Sequence, residues 1–112
     1  MKKYIVTGAA GFLGCNLTEQ LMQEEDAHIY AVVRPSSPHN ARLATSERLT
    51  IVPADLSDYV RLDEMIGTPC DVFFHLAWQG GRYDFAEQYG NIADTIGALE
   101  AAARLGCKRF IC

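Results

Sequence analysis

Residues 3–17 read KYIVTGAAGFLGCNL. A β-rich apolar run, Lys3–Thr7, meets three glycines spaced three apart, Gly8, Gly11 and Gly14. The apolar period then changes. Phe12, Leu13, Leu17, Leu21 and Met22 recur near the helical repeat, which predicts a helix from Gly11 to about Glu24. A helix that opens straight out of a glycine turn carries unpaired first-turn N–H groups and about half a positive charge from its dipole. That arrangement suits an anion, above all a phosphate. In this reading Gly8 permits the sharp turn and Gly11 lets backbone approach a pyrophosphate. Gly14 lets the helix pack tightly on the strand. The spacing is G-x-x-G-x-x-G and not the commoner G-x-G-x-x-G.

Working outward, further apolar runs follow at His28–Val33, Leu49–Val52, Asp71–Leu76 and Lys108–Cys112. Each is close to continuous rather than alternating, as strands buried on both faces are. Between them lie helical segments. One starts near Ser57, read as its N-cap, and runs to about Ile66, where Gly67-Thr68-Pro69 ends it. A longer one runs from about Asp84 to Leu105, with Tyr89, Ile92, Ile96, Leu99 and Ala103 on one face and Gly106 as its stop. Arg34-Pro35-Ser36-Ser37-Pro38 is loop, and residues 39–47 fit either a short helix or a loose connection. The pattern predicts an α/β fold. It is a three-layer, Rossmann-type doubly wound sheet of five mostly parallel strands in the order 3-2-1-4-5.

Composition bounds the function. The 112 residues form one domain, and a net charge of −4 with no Lys/Arg run excludes a nucleic-acid surface. No apolar stretch approaches the roughly 18 residues of a membrane span. The start does not read as a signal peptide, so the cytoplasm is the expected compartment. Cys15, Cys70, Cys107 and Cys112 are widely spaced without a C-x-x-C pair, so free thiols are expected and no metal site.

TGAAGFLG (residues 7–14), ADLSD (54–58), HLAW (75–78) and GNIADTIGALEAAARLGCKRFI (90–111) occur in an order that resembles the extended short-chain dehydrogenases/reductases, the NAD(P)-dependent epimerase/dehydratase group. The resemblance spans Lys3 to Cys112 and is specific for the superfamily, not for a substrate. It implies that backbone N–H groups around Ala10, Phe12 and Leu13 hold a pyrophosphate. It implies that Asp55 and Leu56 contact adenine, the alternative for Asp55 being a solvated acid at a helix entry. Leu76, Ala77 and Trp78 would lie beside the ribose and nicotinamide, with Trp78 open between cofactor contact, core and lid. Asn91 matches the helix asparagine that supports neighbouring backbone. His75 is read as a hydrogen-bonded core residue before an acid or base.

The residue after the second strand decides between cofactors. An acid there accepts from a ribose 2′-OH; this chain has Val33 and then Arg34, whose guanidinium would pair with a 2′-phosphate. Ser36 and Ser37 could add hydroxyl donors. NADP is therefore expected over NAD. The family's Tyr-x-x-x-Lys pair is absent: four residues after each tyrosine stand Gly8, Arg34, Asp63, Glu87 and Ala93. The expectation is a dinucleotide-binding domain over residues 1–112, without a substrate domain and inactive alone. It would be part of an enzyme that transfers hydride on a nucleotide sugar or related small carbonyl or hydroxyl compound. A non-catalytic dinucleotide-binding or redox-sensing module is the alternative. The fifth strand would be a sheet edge, so self-association through it and the long helix is expected.

Overall fold

The computed structural model describes residues 1–112. Five strands, β1 (Lys2–Thr7), β2 (Ala27–Val33), β3 (Leu49–Pro53), β4 (Val72–His75) and β5 (Arg109–Ile111), form one parallel sheet in the order β3-β2-β1-β4-β5. Three α-helices connect them: α1 (Phe12–Leu21), α2 (Leu62–Ile66) and α3 (Phe85–Arg104). The order reverses between β1 and β4, so a crevice opens outside their carboxyl ends. No helix is long and apolar enough to cross a membrane.

The strand period sets the two cores. Ile5 and Phe73 point to one face, where they meet Tyr59, Leu62, Ala98, Ala101 and Ala102. Tyr4 and Val6 point to the other, with Ile29, Ala31, Val33 and Leu21. Thus α1 covers one face of the sheet, and α2 and α3 cover the other.

Glycine geometry fixes how closely α1 sits on β1. A Cβ built on Gly14 would lie 2.0 Å from the Gly8 carbonyl oxygen, and Gly8 itself has φ +65°. The helix ends at Leu21, earlier than expected. Glu24, Glu25 and Asp26 follow, and acids at a helix C-terminus oppose the dipole. The Arg48 guanidinium instead donates to the Met22, Glu24 and Ala27 carbonyls at 3.0, 2.7 and 3.2 Å.

One further reading is corrected. The helix expected from Ser57 is a 3₁₀ segment, Leu56–Arg61, running into α2, and its N-cap is Asp55. The Asp58 carboxylate accepts from the Asp55 N–H at 3.2 Å, so the first turn starts two residues before Ser57. On α3, the apolar face is turned to solvent: Tyr89, Ile92, Ile96 and Leu99 are 75, 56, 51 and 49% exposed. The buried side holds Asn91, Gly97, Ala98, Ala101 and Ala102. Small residues let the helix backbone come close, and a Cβ on Gly97 would stand 3.1 Å from the Val60 Cβ. Asp84 caps α3 by accepting from the Glu87 N–H at 3.0 Å, and Gly106, at φ +75°, ends it as expected. The ambiguous stretch is a 3₁₀ turn, Pro38–Arg42, followed by an irregular connection.

Gly14→Ala should lower the unfolding free energy by about 3 kcal/mol, because the loop backbone must move to admit the methyl. A urea midpoint unchanged from wild type would contradict this packing.

Candidate functional site

The loop between β1 and α1 is a row of free donors. Gly11 caps α1 without a side chain, and no acid stands in the first turn. The Gly11 N–H folds back on the Gly8 carbonyl at 3.0 Å, and Ala9 donates to Val32 at 3.3 Å. The first helical bond is Cys15 N–H to Gly11 at 2.9 Å. The N–H groups of Ala10, Phe12, Leu13 and Gly14 have no acceptor within the chain. Phe12 and Leu13 are 77 and 68% exposed, so their side chains do not close over the loop.

Beside this row lies a cleft of about 300 Å³. Its floor is Gly8, Ala10 and Gly11; Leu76, Ala77 and Trp78 form one wall, and Leu56 and Tyr59 another. Arg34 stands at the end of β2 with Ser37, His39 and Asn40. The Arg34 guanidinium bonds to no other residue, whereas the Arg34 carbonyl is held by the Asn40 side-chain amide at 2.9 Å. Eight of the residues singled out from sequence line this one cleft: Gly8, Ala10, Gly11, Arg34, Leu56, Leu76, Ala77 and Trp78. Gly14 instead packs the helix. Asp55 is exposed at the start of its 3₁₀ turn and borders a neighbouring polar hollow with Arg34, Gln79, Glu87 and Asp94. Trp78 is 60% exposed, so it is a rim residue and not core.

His39, Asn40 and Tyr59 also line the cleft and were missed. Their signal was weak. His39 and Asn40 lie in the ambiguous stretch, and Tyr59 follows the ADLSD motif inside a turn whose register depends on the cap. Tyr59 is 1% exposed, and burial pushes its phenol well above the ordinary tyrosine range, so it stays neutral.

The wall that follows β4 is held by side chains. Leu76 and Ala77 leave the sheet because their N–H groups turn onto Thr7 Oγ1, at 3.1 and 3.3 Å. Thr7 Oγ1 also lies 2.8 Å from His75 Nδ1, and His75 Nε2 lies 3.2 Å from Thr95 Oγ1. His75 is therefore the hydrogen-bonded core residue that its place on a buried strand suggested, at 6% exposure. One step further, Asn91 clamps Gln79: it accepts from the Gln79 N–H at 3.0 Å and donates to the Gln79 carbonyl at 2.9 Å. Asn91 is 2% exposed, so this pair replaces the strand partner that the backbone lacks after β4.

The cleft thus lies at a topological switch point of the sheet. The profile of the NAD dependent epimerase/dehydratase family matches residues 4–112. The chain belongs to this family. It is 40% identical over 112 aligned residues to cinnamoyl-CoA reductase 1 of Petunia hybrida, covering 95% of this chain and 33% of that protein. It is 34% identical over 80 residues to D-erythronate dehydrogenase of Haemophilus influenzae, covering 67% of this chain and 24% of that one. Among solved structures, an epimerase from Methanothermobacter thermautotrophicus superposes with a TM-score of 0.81 at 27% identity, over 97% of this chain and 34% of that one. The UDP-glucuronic acid 4-epimerase of Bacillus cereus, in complex with NAD, gives 0.74 at 27% identity, over 96% and 38%. The chain thus spans about a third of the petunia enzyme and of the two epimerases.

Asn91→Ala would leave both backbone groups of the half-buried Gln79 without their partner. It should cost about 1–3 kcal/mol and speed hydrogen exchange at Gln79. Unchanged exchange there would show that the clamp does not hold the wall.

Proposed function

We propose that this chain binds a nicotinamide dinucleotide, NADP(H) before NAD(H), and serves as the cofactor-binding part of an epimerase, dehydratase or reductase. One observation carries the reading: four unsatisfied N–H groups, of Ala10, Phe12, Leu13 and Gly14, open beside a cleft at the β1–β4 switch point. A pyrophosphate supplies the acceptors they lack, and the dipole of α1 adds attraction. A glycine-free loop could not make this cradle, since a Cβ on Gly8 would meet Ala77 N at 3.0 Å. The adenosine half would lie toward Leu56 and Asp55, and the nicotinamide half along Leu76, Ala77 and Trp78. The NAD carried by the Bacillus cereus epimerase supports the ligand class.

The choice of NADP rests on Arg34. Its guanidinium is free, it lines the cleft where β2 ends, and Ser37 and His39 stand beside it. A 2′-phosphate can take a bidentate pair there. The cofactor supplies hydride transfer when bound. The whole enzyme's substrate would be a nucleotide sugar or a related small carbonyl or hydroxyl compound. Since these residues hold no Tyr-x-x-x-Lys pair, this chain binds cofactor without turning it over.

Calorimetric titration tests the reading. NADP⁺ should bind about tenfold or more tighter than NAD⁺, the worth of one charge-assisted pair, and Arg34→Asp should reverse the order. Equal affinities would remove the Arg34 argument and keep the loop. No heat with either would remove the dinucleotide reading.

The outward face of α3 supports a second part of the proposal, association with another copy of this chain. Phe85, Tyr89, Ile92, Ile96 and Leu99 are 72, 75, 56, 51 and 49% exposed on one helix, and β5 stands at one end of the strand order. Sedimentation should show a concentration-dependent dimer that Ile92→Asp with Ile96→Asp converts to monomer. A wild-type chain that stays monomeric at high concentration contradicts it.

A further inference from the structure

The hydrogen bonds around Thr7 fix where the proton on His75 sits. Thr7 Oγ1 has two lone pairs, and the Leu76 and Ala77 N–H groups occupy both. Its own hydrogen is then left for His75 Nδ1, 2.8 Å away. Nδ1 must therefore be bare, and the ring must be neutral with its hydrogen on Nε2, donated to Thr95 Oγ1 at 3.2 Å. Every partner is used once in this arrangement. No other placement of the hydrogens satisfies all of them.

A second proton on the ring breaks it. An Nδ1–H would face an oxygen that already accepts twice. Thr7 must then give up Leu76 or Ala77, or the ring must leave. Either change moves the backbone of the two residues that wall the cleft opposite the glycine loop.

We propose that His75 is a positioning residue for the dinucleotide site, acting through Thr7. Neutral, it locks the Leu76–Ala77 wall in its binding shape; protonated, it releases that wall and weakens binding. The inference rests on the dinucleotide reading above and adds to it a proton-linked control.

The surroundings favour the locked state at neutral pH. Tyr59 meets the ring edge-on at 5.8 Å, Phe110 stacks on it at 5.9 Å from β5, and Phe73 lies at 6.4 Å. None of these carries charge. From α3 come the neutral Thr95 and one carboxylate, Asp94, which partly favours the imidazolium. Burial outweighs it and holds the imidazole below its ordinary value of 6.5. The lock is thus closed above that value and opens as the pH falls below it. By linkage, a bound dinucleotide makes His75 still harder to protonate.

The test uses the intact chain and NAD⁺, because the 2′-phosphate of NADP⁺ itself titrates near pH 6. Nitrogen-15 spectra of the ligand-free chain, from about pH 8 to about pH 5, give the His75 tautomer, its titration and the Leu76 and Ala77 amide shifts. The NAD⁺ dissociation constant is measured over the same range. The expected result is an Nε2–H tautomer, with both amides moving along the His75 titration. Affinity should fall about fivefold or more with the same midpoint. His75→Gln, which can accept from Thr7 but cannot be protonated, should bind with a flat pH profile. An Nδ1–H tautomer, amides indifferent to His75, or a flat wild-type affinity would overturn the proposal, and none of these needs the variant to fold. Coupled amides with no binding of either NAD⁺ or NADP⁺ at any pH would support the lock and overturn the dinucleotide reading instead.

Discussion

The closeness of α1 to the loop that precedes it governs the rest of the molecule. With 2.0 Å between a Gly14 Cβ and the Gly8 carbonyl oxygen, no other residue fits without moving backbone. That contact sets the helix N-terminus at the carboxyl end of β1. It leaves the first-turn N–H groups facing outward, and it brings Gly8 against the Leu76–Ala77 backbone. The row of free donors and the cleft wall are therefore parts of one packing solution. A larger residue at either glycine would disturb both.

The second constraint lies across the crevice. Beyond β4 the chain has no strand to pair with, yet it must stay close to the loop. Thr7 takes two of its N–H groups and Asn91 takes both polar groups of Gln79. Buried side chains thus do the work of a sheet neighbour. This explains why a threonine, a histidine and an asparagine occupy places in the core that apolar residues would otherwise fill.

Much of this was legible in the sequence. Near-continuous apolar runs identify buried parallel strands, and the glycine run between a strand and a helix identifies the loop. Fold class and strand order followed from those two signals and from the family resemblance. What periodicity could not give was the direction a helix faces. On α3 the large apolar residues and the small ones form different stripes, and the sheet takes the small stripe because it allows closer approach. The cap at Asp55 was missed for a related reason: ADLSD offers several capping residues, and the choice depends on the Asp58 carboxylate reaching back. His39, Asn40 and Tyr59 reach the cleft only through the path of irregular segments, which no local pattern specifies.

The most direct measurement of the central claim is an amide map of the chain, by nitrogen-15 spectroscopy, during addition of NADP⁺. The largest shifts should fall on Ala10, Phe12, Leu13 and Gly14, the donors without acceptors, with smaller ones at Arg34, Leu76 and Ala77. Shifts that cluster elsewhere, or a loop that does not respond at saturating NADP⁺, would contradict the assignment of this loop as a phosphate cradle.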